Sequence, residues 1–198
     1  AMVQTYLSNA AGSGSFYIHQ LGPTLDDAGY TGSGTGADLS AFNVANGSTY
    51  AYYWDENQAL SAPDYDQGWK NISSLTYHVE TGAGIALSTT DATTYTMEMI
   101  GQFITGNVST PTLAFTQNHL ELISNPYPSS IDFDALTTAN NGVVNAKYWI
   151  WNPASGSYIA RSGATGGSQY IQVGQSFFVE TKAGGTFDFT NANRAHST

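Results

Sequence analysis

The chain has no cysteine, few charges and very few cations, and each shortage excludes something. Without cysteine its 198 residues hold no disulfide, no thiolate nucleophile and no Cys-ligated zinc. Only 10% of the residues are charged, where ordinary soluble domains carry about 25%, so the surface is left to the hydroxyls and amides of Ser, Thr and Asn. Five Lys and Arg stand against fifteen Asp and Glu, and the net charge of −10 repels a phosphate backbone and an anionic membrane surface alike. That argues against nucleic acid as a partner. No apolar run approaches the roughly 20 residues of a membrane span, and no charged-then-apolar leader is present. If the chain is exported, its signal is expected upstream, in a longer polypeptide of which this is one module.

Helical periodicity is weak throughout, the best candidate being a short turn within Ile131 to Ala139. What recurs instead is alternation with period two. Thr94-Tyr95-Thr96-Met97-Glu98-Met99, Ser168-Gln169-Tyr170-Ile171-Gln172-Val173 and Thr186-Phe187-Asp188-Phe189 each place apolar side chains on one face of a strand.

The chain also resembles itself. Gly82-Ala83-Gly84-Ile85-Ala86-Leu87 aligns without a gap to Gly174-Gln175-Ser176-Phe177-Phe178-Val179, at an offset of 92 residues that also matches Thr94 to Met97 with Thr186 to Phe189. Tyr52-Tyr53-Trp54-Asp55 matches Trp149-Ile150-Trp151-Asn152, and Leu7-Ser8-Asn9 matches Ile123-Ser124-Asn125, in the same order along the chain. The first half carries the extra residues, in a glycine-rich loop around Gly32-Ser33-Gly34-Thr35-Gly36 and in a turn-rich stretch from Asn57 to Trp69. The expected fold is all-β: one antiparallel β-sandwich domain over residues 3–197, jelly-roll-like, with pseudo-repeats at about 5–105 and 118–190. A single shared core is expected, because a half of fewer than ~100 residues with so few charges would expose a large apolar face on its own.

A family resemblance rests on the second half. Ser124-Asn125-Pro126-Tyr127-Pro128-Ser129-Ser130, then Trp151-Asn152-Pro153, Gly174-Gln175-Ser176-Phe177-Phe178-Val179, and Phe189-Thr190-Asn191 with Arg194 and His196, resemble a module of large secreted and cell-surface proteins of Bacteroidetes. In those proteins the module commonly precedes a type IX secretion sorting domain. The resemblance implies an extracellular, non-catalytic β-sandwich accessory region, secreted or held at the cell surface beside other modules of the same polypeptide. It does not imply a ligand.

Several residues invite a chemical reading. Asp132 and Asp134 would point the same way on an extended segment, as a metal-ligand pair or two acids; a turn cap plus a partner for Arg194 is the favoured reading. Trp54 and Trp151 hold equivalent places in the two halves, which favours packing. Trp69, Trp149, Tyr65 and Tyr158 are the candidate ligand platform, since exposed aromatic rings stack on the apolar faces of sugar rings, against the equal alternative of a core or interface role for each. Asp64 and Asp66, with Asp55 and Glu56 nearby, could gather oxygens around calcium, against the alternative of a solvated acidic loop. His19, His78, His119 and His196 have no zinc spacing, and no nucleophile elbow is present. The expected function is a non-catalytic carbohydrate-binding module whose partner is a polysaccharide. The rival is a structural or adhesive spacer with no small ligand.

Overall fold

The computed structural model describes residues 2–7, 17–26, 36–42, 49–61, 66–89 and 95–195. They form an antiparallel β-rich fold with one α-helix, Phe133–Ala139, in the stretch where the sequence favoured a helical turn. A four-stranded sheet runs in the order Tyr17–Leu21, Ile85–Thr89, Thr49–Trp54, Trp69–Ile72. A five-stranded sheet runs Leu120–Ser124, Ser176–Thr181, Val144–Asn152, Ser157–Ser162, Thr165–Gly166. Five two-stranded ladders complete the described structure.

Apart from the short Thr165–Gly166 strand, the two larger sheets have the same order, and their registers correspond except for a bulge between Val144 and Tyr148 in the second. Ala51 pairs with Leu87 as Tyr148 pairs with Val179. Trp54 pairs with Trp69 as Trp151 pairs with Tyr158. Leu21 pairs with Ile85 as Ile123 pairs with Phe177. Leu21 is therefore the register mate of Ile123, and the sequence match to Leu7 is corrected: Leu7 ends the Met2–Leu7 strand, paired with Tyr95–Ile100 in a separate ladder. Ser8 and Asn9 lie outside the described residues. What the second half repeats is a strand running out into Gly22-Pro23, not a Ser-Asn dipeptide.

The two sheets exchange backbone contacts reciprocally. Leu21 bridges to Gln175, and Ile123 bridges to Ala83. Gly22 N–H donates to Gly174 O at 3.0 Å, and Ser124 N–H to Gly82 O at 2.9 Å. Each contact lies where a turn closes, Ala83 N–H to Glu80 O and Gln175 N–H to Gln172 O. The third residue of each turn is a glycine, Gly82 at φ +85° and Gly174 at φ +65°, a conformation that a side chain would strain.

Buried apolar residues of the described structure form two clusters, one on each sheet. Leu21, Ile85 and Leu87 pack with Leu25, Leu39, Phe42 and Val79 on the first sheet. Ile123, Phe177 and Val179 pack with Phe133, Leu136 and Phe187 on the second. The physical reason lies in the central strands, which are apolar on both faces: Phe177, Phe178 and Val179 are consecutive and all buried. One face of each sheet is covered by that half's own ladders and turns, and the other is left for the opposite half.

The Asn125-Pro126-Tyr127-Pro128 stretch is a rigid corner. Asn125 is fully buried; its Nδ2 donates to Ser129 O at 2.8 Å and Gln172 O at 3.0 Å, and its Oδ1 accepts from Tyr127 N–H. The Tyr127 hydroxyl donates to Gly106 O at 2.6 Å. Asp132 then caps the helix, accepting from the N–H groups of Asp134 and Ala135. The expected partnership with Arg194 is corrected. The helix turns Asp134 toward Arg161, which binds it through Nε at 3.1 Å and Nη2 at 2.7 Å, while Arg194 donates to Ser129 Oγ and lies over the Tyr127 ring. Arg161 is the buried cation of the pair, so its guanidinium takes the nearest carboxylate.

Candidate functional site

Strand alternation places Tyr52 and Trp54 on one face of the first sheet, with Trp69 joining them across the ladder. On the second sheet Trp149 stands opposite Phe178, and Trp151 opposite Tyr158. These two faces meet. Trp54 contacts Phe178 edge to face at 4.9 Å between ring centroids, and Trp69 contacts the same ring at 5.7 Å. Within the sheets, Trp54 meets Trp69 at 5.2 Å and Trp151 meets Tyr158 at 5.0 Å. Such geometries contribute about 0.5–1.5 kcal/mol per pair beyond the area buried.

The contact is incomplete, and two adjoining cavities open within it. The first, about 320 Å³, is lined by Trp54, Leu120, Trp149 and Phe178. The second, about 350 Å³, is lined by Gln20, Tyr52, Ala86 and Trp151. Asp66, Trp69 and Tyr158 line both. Register equivalence relates them: Trp54 corresponds to Trp151, Tyr52 to Trp149, Ala86 to Phe178, and Trp69 to Tyr158. The two cavities are thus one feature made twice.

Three of the candidate platform residues, Trp69, Trp149 and Tyr158, come together at this cleft, and Tyr65 lies outside the described residues. Trp54 and Trp151, read from the sequence as packing, line the cavities as well and are only half-buried. Gln20, Tyr52 and Phe178 were missed. For Tyr52 and Phe178 the signal existed, since the offsets that align Trp54 with Trp151 also set Tyr52 against Trp149 and Ala86 against Phe178.

Polar groups are few here and unevenly satisfied. Gln20 is 9% exposed; its Nε2 donates to the Tyr158 hydroxyl at 2.6 Å, tying the two sheets together, while its Oε1 has no partner among the described residues. Trp151 Nε1 is also buried and unpartnered, although its mate Trp54 donates to Asn118 Oδ1 at 3.3 Å. A buried polar atom left unpaired costs about 1–3 kcal/mol. Burial, with Asp66 nearby and against the Gln20 hydrogen bond, pushes the Tyr158 hydroxyl up to about 12.

Of the acidic residues proposed for calcium, Asp64 lies outside the described residues and Asp66 sits in the Asp66–Gly68 turn. Glu56 is engaged elsewhere, accepting from Thr116 N–H and Oγ1, Gln117 N–H and His119 N–H. Among the described residues no group of three His, Cys, Asp or Glu could hold a metal ion. Comparison with protein-family models, with curated proteins and with solved structures gives no match, so the cleft is read from its own geometry.

Proposed function

We propose that this chain is a non-catalytic carbohydrate-binding module of a larger secreted or cell-surface protein, of the Bacteroidetes type that its second half resembles. In this reading it is a β-sandwich of two pseudo-repeated, jelly-roll-like halves, and polysaccharide binds between them. One observation carries the reading: half-buried Trp69, Trp149 and Trp151 and the more exposed Tyr158 converge on one cleft that also offers amide and carboxylate groups. Aromatic faces bind the C–H faces of sugar rings, and a few placed polar groups fix orientation. The test is affinity electrophoresis and tryptophan fluorescence against a panel of soluble plant, algal and bacterial polysaccharides, repeated with Trp69→Ala and Tyr158→Ala. Retarded migration that both variants weaken supports the module; no retardation by any glycan ends it.

One observation favours the rival, a structural or adhesive spacer. Trp54, Trp69 and Phe178 contact one another across the sheets, so part of the aromatic surface holds the halves together. If that were its whole role, Trp69→Ala would lower the melting temperature and no glycan would protect the parent protein against heat.

A further inference from the structure

The two cavities are equivalent by register and unlike in chemistry. In the first, the Phe178 ring occupies the middle and touches Trp54, Trp69 and Tyr158 edge to face. In the second, Ala86 stands at the same register position, in a cavity of similar volume. Beside Phe178 the neighbouring strand carries Leu122; beside Ala86 it carries Gln20. Trp54, at the first cavity, has its N–H paired to Asn118, whereas Nε1 of its mate Trp151 and Oε1 of Gln20, at the second, are buried without partners among the described residues.

We propose that the cavity lined by Gln20, Ala86 and Trp151 is the ligand subsite of the duplicated pair, that it takes one ring of a neutral glycan, and that the cavity around Phe178 serves packing. The inference rests on the carbohydrate reading above and specifies it. Two side chains that line this cavity carry a buried donor and a buried acceptor unpaired among the described residues, which calls for a group that can both accept and donate, and a hydroxyl does both. A carboxylate or sulfate could accept from Trp151 but could not donate to Gln20 Oε1, and it would meet Asp66 on a chain of net charge −10. An apolar ligand would leave both groups unpaired. Trp69, Trp151 and Tyr158 supply ring surface, and about 350 Å³ is at the lower end of the roughly 300–1,000 Å³ typical of small-ligand sites.

The full chain is titrated with mixed-linkage β-glucan, arabinoxylan and galactomannan as neutral probes and with alginate as the anionic one, by tryptophan fluorescence and affinity electrophoresis. Gln20→Leu places the residue type of its register mate Leu122, and Ala86→Phe places the residue type of its mate Phe178 in the second cavity. Leu120→Ala enlarges the first cavity only. Binding of a neutral glycan that Gln20→Leu weakens about tenfold or more, that Ala86→Phe abolishes and that Leu120→Ala leaves unchanged is the expected result. Melting curves accompany each variant, and Gln20→Leu decides the question even if Ala86→Phe does not fold. A neutral glycan bound equally by the parent and Gln20→Leu, or tighter binding of alginate, overturns this assignment and leaves the carbohydrate module standing. No binding by any probe overturns both.

Discussion

Gly84→Ala tests how closely the two halves fit. A Cβ at Gly84 would lie 2.8 Å from Leu122 Cγ, 2.8 Å from Ser176 Oγ and 3.0 Å from Ser176 Cβ, whereas carbon atoms relax against one another at about 3.5–4.0 Å. The backbone cannot retreat cheaply, because Gly84 N–H donates to Leu122 O at 3.0 Å and Ala83 next to it bridges to Ile123. Overpacking of this kind costs about 1–3 kcal/mol. Three simultaneous contacts, two of them on a fully buried serine, put Gly84→Ala at about 3 kcal/mol, or roughly 6–12 °C of melting midpoint for a chain of this length. Ser176 supplies two of the three contacts, so Ser176→Gly in the Gly84→Ala background should recover part of the loss. The assay is thermal and urea unfolding followed by tryptophan fluorescence, with Trp54 and Trp69 reporting on the same sheet contact. A Gly84→Ala midpoint within about 2 °C of the parent, or no recovery in the double variant, would refute the fit described here.

Two glutamates, Glu56 buried and Glu121 half-buried, predict opposite pH behaviour. Burial would raise the Glu56 carboxyl, but hydrogen bonds from Thr116, Gln117 and His119 outweigh it and hold the group below its usual 4.5. Its contribution is therefore present above pH 4.5 and lost as pH falls through the lower folded value, and Glu56→Gln should cost about 2 kcal/mol at pH 7 and progressively less in acid, as read from urea midpoints across pH. Glu121 is raised to about 7, by burial first and by the charges of Glu56 and Asp55, against one hydrogen bond from Ala114 N–H. It costs nothing below pH 4.5 and costs stability increasingly up to and beyond pH 7, so Glu121→Gln should raise the midpoint at pH 8 by an amount on the order of 2–3 kcal/mol and leave it unchanged at pH 4. Asp132→Ala removes the helix cap and should cost about 1 kcal/mol by thermal melting. Asp134→Ala leaves the buried Arg161 guanidinium with Gly167 O; because the Asp134 side chain is 42% exposed, the expected loss is about 1–2 kcal/mol, and a loss below about 0.5 would mean that water replaces it.

Strand type and the correspondence of the two larger sheets were legible because both are written in spacing. The offset of 92 that aligns Gly82 with Gly174 is the offset at which both turns and both central strands fall, and 97 aligns Trp54 with Trp151 in register. The first strand was misaligned because its signal is short: Leu21-Gly22-Pro23 shares only an apolar residue and a small one with Ile123-Ser124-Asn125, so the chance Ser8-Asn9 match outranked it. Asp134 and Arg161 illustrate a second limit. They are 27 residues apart, and only the hairpin of Val144–Asn152 with Ser157–Ser162 brings the arginine back to the helix. The cleft was half legible. Aromatic residues could be named from composition and position, but Gln20 gains its meaning only from an unpaired Oε1, which no spacing reveals.

The small residues between the halves bear on why the two cavities differ. Gly84 faces Ser176, its own register mate, and Gly22 faces Ser124, its own mate again, so close that a Cβ on Gly22 would overlap both the serine and the Ala83 carbonyl. A residue that faces its own mate lies on the local two-fold relating the sheets. Two identical halves would set serine against serine there, with no room, or glycine against glycine, with a gap. Glycine on one side and serine on the other fills the space once, and Ser124 Oγ donates to Ala83 O at 2.8 Å. The halves therefore fit each other better than either would fit a copy of itself. Once the pairing is fixed as unlike with unlike, the cleft positions are free to diverge in the same way. Phe178 anchors Trp54 and Trp69 at one cavity, while Ala86 and Gln20 hold the equivalent positions at the other.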